Sequence, residues 1–222
     1  MSLFSGKKVL ITAGPTYEPI DPVRFIGNHS TGKMGFALAR AFADQGAQVY
    51  LVVGPTALSL EHPLVEVIPV MTANEMFAAC QAKASKADIW VFAAAVADYR
   101  PKDVATSKIK KNEDSFTIEL VKNVDIAATL GQQKRSDQFA VGFALETDQE
   151  LENARGKLVK KNLNMVVLNS LRTPGAGFKH DTNKITIVKP ASVEEFELKS
   201  KEEVALDILE SIKTEWACLQ KK

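Results

Sequence analysis

Short runs of β-branched and apolar residues alternate with amphipathic helical stretches through most of this 222-residue chain, and no other feature restricts its fold as strongly. Strands separated by helices have the spacing of βαβ units, so the sheet they build is mainly parallel and covered on both faces. Strands are predicted from Lys8 to Ala13, Gln48 to Val53, Val65 to Val70, Asp88 to Ala93, Phe139 to Ala144 and Met165 to Asn169. Helices are predicted from Lys33 to Gln45, Ala73 to Lys86 and Asp148 to Lys161, where apolar residues recur at three- and four-residue intervals. Gly46 closes the first helix as a C-terminal glycine should. A last helix, Lys201 to Trp216, presents Val204, Leu206, Ile208, Leu209 and Ile212 as its apolar face. Two stretches alternate like antiparallel hairpins instead: Lys108 to Val121, with Asn112 to Ser115 as its polar turn, and Lys184 to Leu198. The expected fold is α/β, a doubly wound, Rossmann-like and mainly parallel sheet with added antiparallel hairpins, forming a single domain over residues 1–222.

Charge balance removes several functions. Lys and Arg number 28 against 27 for Asp and Glu, so no global field gathers nucleic acid or an anionic membrane, and a basic site has to be local. No apolar run approaches the ~20 residues that cross a bilayer, and the start, MSLFSGKK, lacks the apolar core of a signal peptide, which places the chain in the cytoplasm. Cys80 and Cys218 stand far apart and outside metal-type spacing, which argues against a disulfide framework or a zinc site.

In open α/β sheets ligands sit beyond the carboxyl ends of the strands, so the loops after each strand are where chemistry is sought. The first, Gly14 to Thr31, is long and stiffened by Pro15, Pro19 and Pro22. It ends in Asn28-His29-Ser30-Thr31-Gly32-Lys33-Met34-Gly35, where a helix begins and its free N–H groups attract an anion. From Gly27 the segment nearly spells a phosphate loop but fails at Met34, which has no hydroxyl for magnesium. Gly35 reads more simply as a close contact between helix and strand. The same stretch has the glycine rhythm of a dinucleotide site. Against a short-chain dehydrogenase, however, the residues four after Tyr17, Tyr50 and Tyr99 are Asp21, Gly54 and Asp103 rather than lysine, and no acidic residue closes the second strand at Val53-Gly54.

The loop after the fourth strand, Ala93 to Arg100, has small residues that admit a flat ligand to the backbone, and Asp98 as an acceptor. Lys108, Lys110 and Lys111 follow, either as a solvated edge that discourages strand pairing or as a phosphate clamp. Lys157 and Lys161 share one helical face, which suits a polyphosphate and suits solvent equally well.

In order, GPT, DPVRFIGNHSTGKMG, AAVADYRP, KIKK, VGFALET and KLVKKN resemble the phosphopantothenoylcysteine synthetases of coenzyme A biosynthesis, over nearly the whole chain. In bacteria this activity is often fused behind a flavin-dependent decarboxylase. This sequence starts at the synthetase's first strand, so the expectation is a synthetase without that domain. The resemblance implies a phosphopantothenate–cysteine ligase. The carboxylate of 4′-phosphopantothenate attacks the α-phosphate of CTP, giving an acyl-cytidylate and pyrophosphate, and the amine of L-cysteine then displaces CMP.

The resemblance also implies roles for residues. Asn28 contacts the activated acyl group and supports its conversion with cysteine, and Lys108 is required for forming the acyl-nucleotide. Gly14, Ala94, Asp98, Lys108, Asn123, Val124, Asp125, Ile126, Phe143, Lys157 and Lys161 match nucleotide-binding positions, while Arg24, Asn28, Gly32 and Lys33 bind the substrate. Val124 replaces the family's usual proline, and Asn169-Ser170 departs from a common Asn-Asp pair. Mg2+ is implied as a cofactor beside the co-substrate CTP, with no metal ligands assigned. The family works as a homodimer, with the added hairpins as sources of contact. The spelling is that of bacterial, CTP-using members, whereas animal-type enzymes favour ATP. A Rossmann-type NAD(P)-dependent oxidoreductase and a non-catalytic nucleotide-binding protein stand as alternatives.

Overall fold

A computed structural model describes residues 2–110, 115–146, 148–170 and 180–220. In chain order its elements begin with β1 (Lys8–Ala13), β2 (Tyr17–Pro19), β3 (Phe25–Gly27), α1 (Lys33–Asp44), β4 (Gln48–Val53), β5 (Val65–Pro69) and α2 (Ala73–Ala84). The middle of the chain forms β6 (Ile89–Phe92), β7 (Tyr99–Pro101), β8 (Leu120–Lys122), α3 (Ile126–Gln132), β9 (Phe139–Glu146), α4 (Glu150–Lys160) and β10 (Met165–Ser170). It ends with β11 (Thr182–Asn183), β12 (Ile185–Val188), β13 (Val193–Glu195), β14 (Lys199–Ser200) and α5 (Lys201–Leu219).

Eight strands share one sheet in the order β13-β12-β10-β9-β6-β1-β4-β5. Pairing is parallel from β5 across to β10 and antiparallel from β10 to β12 and β13. The predicted hairpin from Lys184 to Leu198 is therefore present, as β12 and β13 on the sheet edge. The chain leaves β1 toward β4 and β5, then returns to place β6 on the other side of β1. That reversal opens the crevice in which doubly wound sheets hold ligands.

Alternation along the strands sends their apolar side chains to two cores. Val9, Ile11, Leu51, Val91, Val141 and Val167 pack under α1 and α5, while Leu10, Val52, Trp90, Ala140, Val166 and Leu168 pack under α2, α3 and α4. Both faces are covered, as the sequence pattern required. Gly46 (φ +86°) ends the first helical turn-out, its N–H bonded to Ala43 O.

Two expectations need correction. Of Lys108 to Val121, residues 108–110 and 115–119 are not strand, and β8 pairs antiparallel with the upstream β7. Of the predicted turn, Asn112 to Asp114 lie outside the described residues. Leu206 is 55 % exposed, because it lies two positions from Val204 and Ile208 and so points away from their face. Trp216 completes that face, stacked on Phe4 with ring centroids 6.1 Å apart.

Two small ribbons stand at the carboxyl end of the sheet. β2 pairs with β3 and β7 with β8, all antiparallel, and β2 packs on β7. The first ribbon is anchored firmly: Glu18, buried, accepts from Ala73 N at the start of α2 (2.9 Å), and Tyr17 N donates to Met71 O (2.8 Å). A carboxylate at a helix N-terminus also complements the helix dipole.

Candidate functional site

A cleft of about 410 Å³ opens beyond the carboxyl ends of β1, β6 and β9, at the point where the topology reverses. Its floor is the alanine-rich loop after β6, stitched to the loop after β1. Ala94 N donates to Thr12 Oγ1 (3.2 Å), Ala95 N to Gly14 O (2.9 Å) and Ala97 N to Thr16 Oγ1 (3.0 Å). Asn28 adds to this seam, its Nδ2 donating to Ala95 O (3.0 Å) and Val96 O (3.3 Å).

Helix α1 starts at one wall. Gly32 caps it in the left-handed region (φ +82°) with no side-chain hydrogen bond, so first-turn N–H groups stay available to a ligand. Gly14 lies directly behind: a Cβ at Gly32 would come within 3.3 Å of Gly14 N. Gly35, one turn on, packs so closely on β1 that a Cβ there would sit 2.5 Å from Ala13 Cβ, the close contact read from the sequence.

The opposite wall comes from α3 and α4. Asp125 caps α3, accepting from Ala128 N (3.0 Å), and pairs with Lys161 (3.0 Å). Lys157 pairs with Glu146 at 2.5 Å. Phe143 faces the cleft between them, and Asn123 ties this wall to the floor, donating from Nδ2 to Ala97 O (2.8 Å). The two lysines thus line the cleft and meet carboxylates from other elements.

Asn28, Gly32, Lys33, Ala94, Asp98, Asn123, Val124, Asp125, Ile126, Phe143, Lys157 and Lys161 all line this cleft. Gly14, Arg24 and Lys108 are not in its lining. Arg24 bonds Asp21 and the carbonyl of Ile109, and Lys108 is exposed on the segment that follows β7.

Ser30 and Thr31, inside the anion-binding segment read from the sequence, also line it, as do Thr12, Asn183 and Lys201, to which the sequence pointed in no way. Lys201, 5 % exposed at the start of α5, donates to His180 O, and burial together with nearby Lys33 pulls its ammonium below the ordinary lysine range. Asn183, 1 % exposed, donates to Asn169 Oδ1 (2.9 Å), while its own Oδ1 has no partner among the described residues. Asn183 and Lys201 follow β10 in the chain, far from any motif, and the one departure near them is the spelling Asn-Ser at 169–170.

Among the described residues the cleft's charged lining is Lys33, Lys157, Lys161 and Lys201 against Asp98 and Asp125. Lys33 is paired with Asp181, Lys157 with Glu146 and Lys161 with Asp125, so a chain that is almost neutral overall gathers lysines at this cleft and steadies three of them with carboxylates. No group of three or more His, Cys, Asp or Glu side chains suited to a metal occurs among the described residues, and both cysteines are free thiols.

Fold and cleft together define a Rossmann-like domain with a cationic, partly apolar crevice at its topological switch point. Residues 4–215 match the family described as DNA/pantothenate metabolism flavoprotein C-terminal domain, and the chain belongs to that family. It is 48 % identical over 214 residues to the coenzyme A biosynthesis bifunctional protein CoaBC of Vibrio parahaemolyticus, covering 95 % of this chain and 53 % of that protein. It is also 52 % identical over 211 residues to a protein named cysteine/cysteine sulfinic acid decarboxylase from an unknown prokaryotic organism, covering 95 % of this chain and 59 % of that protein. The chain spans little more than half the length of these relatives. Among solved structures, the C-terminal domain of CoaBC superposes with TM-score 0.83 at 41 % identity over 100 % of both chains. A Cab2 variant in complex with phosphopantothenate-cysteine superposes with TM-score 0.77 at 20 % identity, over 97 % of this chain and 89 % of that one, a likeness of fold.

Proposed function

We propose that this domain is a phosphopantothenate–cysteine ligase of coenzyme A biosynthesis, using CTP. The observation that carries the reading is the convergence of lysines from α1, α4 and α5 on one cleft floored by backbone and small side chains. Such a cleft suits two anions that must be brought together, since a carboxylate and a nucleotide repel each other in water. The solved C-terminal domain of CoaBC, which matches this chain from end to end, supports the same assignment.

A carboxylate at neutral pH is a poor electrophile. In the first half-reaction its oxygen attacks the α-phosphorus and the bond to pyrophosphate breaks. In the second, cysteine's amine attacks the acyl carbon, the acyl–oxygen bond to CMP breaks, and the amine's proton passes to solvent. Lys108 stabilises charge in the first step, Lys157 and Lys161 hold the nucleotide with Asp98, Phe143 and residues 123–126, and Asn28 supports the acyl group in the second. Both of Asn28's amide hydrogens point at loop carbonyls, so its action on the acyl oxygen means releasing one of them. Mg2+ bound to phosphates takes only one or two protein carboxylates; Asp98, exposed at the cleft, is the residue that would supply one, and the ion would offset phosphate charge.

The apolar residues left exposed on the two ribbons, Phe25, Tyr99 and Leu120 among them, and next to them in the chain at Val104 and Phe116, support a homodimer joined through that surface. Absence of a helix long and apolar enough to cross a membrane among the described residues accords with a cytoplasmic setting.

Purified chain incubated with phosphopantothenate, cysteine and one nucleotide at a time tests the reading. CTP should yield CMP and pyrophosphate; AMP from ATP would keep the ligase and change the nucleotide, and no release with either would sink it. Lys108→Gln should suppress pyrophosphate release, and Asn28→Asp should chiefly slow transfer to cysteine. Enhanced NADH fluorescence would favour an oxidoreductase instead.

A further inference from the structure

Lys108 sits on an irregular, exposed segment, yet the residue after it is held at two points. The turn between β2 and β3 is closed by Ile20 N and Asp21 N donating to Arg24 O (2.8 and 3.3 Å). Inside it the Asp21 carboxylate, with no exposed side-chain surface, gathers donors from Val23 N (2.8 Å), Arg24 N (2.8 Å), Arg24 Nε (3.0 Å) and Arg24 Nη2. It also accepts from Ile109 N (3.1 Å), while Arg24 Nη2 donates to Ile109 O (2.9 Å). Both backbone polar groups of Ile109 are thus gripped by one ion pair, across more than eighty positions of chain. A third tie, Ala105 N to Ile20 O (3.0 Å), fastens the same segment a turn earlier.

We propose that Asp21 is a positioning residue for Lys108, forming with the Arg24 side chain a clamp that fixes where the lysine projects and on which the first half-reaction depends. This rests on the ligase reading of Lys108. A lysine has four rotatable side-chain bonds, so an unanchored backbone would spread its ammonium over a wide volume, and misplacement by about 1 Å costs on the order of a hundredfold in rate. A planar guanidinium held in two directions by a carboxylate and a carbonyl suits a clamp better than a lysine would. The Arg24 guanidinium, with backbone N–H groups, holds the Asp21 carboxyl well below the usual range, so the clamp stays ionised at any neutral or mildly acidic pH.

The test separates the half-reactions in Asp21→Asn and Ile109→Pro chains, the second of which lacks the N–H that Asp21 holds. Pyrophosphate release without cysteine should fall at least tenfold at saturating substrates in both, while the reaction of separately prepared acyl-cytidylate with cysteine stays within twofold of the parent. On a Lys108→Gln background either clamp substitution should add almost nothing, because the group it positions is gone. Ile109→Pro leaves the Asp21–Arg24 pair in place and serves if Asp21→Asn fails to fold. Equal slowing of both half-reactions, or clamp and Lys108 effects that multiply, would overturn the proposal. A parent chain that releases no pyrophosphate removes the ligase reading itself, and the clamp's role with it; an active parent with unimpaired clamp variants removes the clamp alone.

Discussion

At the scale of single residues, Gly35 shows how a packing constraint and a binding site share one position. It is buried where α1 crosses β1 and also lines the cleft. A methyl group would press on Ala13 Cβ at 2.5 Å and on Ala13 Cα at 3.1 Å, and neither atom is the end of a flexible chain. Gly35→Ala should therefore destabilise by about 1–3 kcal/mol, the usual cost of overpacking a core, read as a lower urea midpoint, with weaker nucleotide binding because α1's first turn must lift. Lys134 supplies a pH dependence. It donates to Asn164 Oδ1 (2.6 Å), and burial pushes its pKa down to about 8. In the unfolded chain a lysine keeps its proton to about 10.4. Between those values the unfolded state binds the extra proton, so raising pH from about 8 to about 10 favours the folded state. Lys134→Met should flatten this rise in urea titrations, and Asn164 Oδ1 would keep its bond from Ala140 N (2.9 Å).

At the scale of elements, α1 and α5 lie together over one face of the sheet but begin differently. α5 starts with a capping box, Ser200 accepting from Glu203 N (3.2 Å) and Glu203 accepting from Ser200 N (3.0 Å), whereas α1 has no side-chain cap. Ser200→Ala should cost about 1 kcal/mol, seen as a shifted denaturation midpoint with an unchanged m-value. The long strands and helices were legible in the sequence because burial on one or both faces imposes a period, and their ends mostly fell within a residue or two. The three-residue strands and the short α3 were not, since they exist only through ties such as Glu18 to Ala73 or Asn123 to Ala97. Alternation in Lys108 to Val121 suggested a hairpin within that segment, whereas among its described residues only the last are strand and their partner is Tyr99–Pro101. In the site, Lys157 and Lys161 were legible as a pair, though spacing could not say which way they faced. Lys201 and Asn183 reach the cleft by tertiary packing alone.

At the scale of the whole molecule, the ribbons pose a problem that one chain does not solve. Two-stranded ribbons are marginal by themselves; here they are braced to α2 and to each other yet leave Phe25 50 % and Phe116 59 % exposed, with Val23, Tyr99, Val104 and Leu120 also in the open. Tyr17 stacks on Phe25 with ring centroids 3.8 Å apart, so the apolar surface is held rigid. An exposed apolar surface of this extent is either an interface or a liability, and a two-fold pairing would bury the same patch on both copies. The clamp on Ile109 belongs to the same ribbon, so pairing there would also steady the segment that carries Lys108. Phe116→Lys combined with Leu120→Lys, which leaves Asp21, Arg24 and Ile109 untouched, should shift the protein from dimer to monomer mass in sedimentation equilibrium. The monomer should lose pyrophosphate release, because the segment that carries Lys108 loses the support of the paired ribbons. A parent protein that sediments as a monomer at all concentrations would refute the interface.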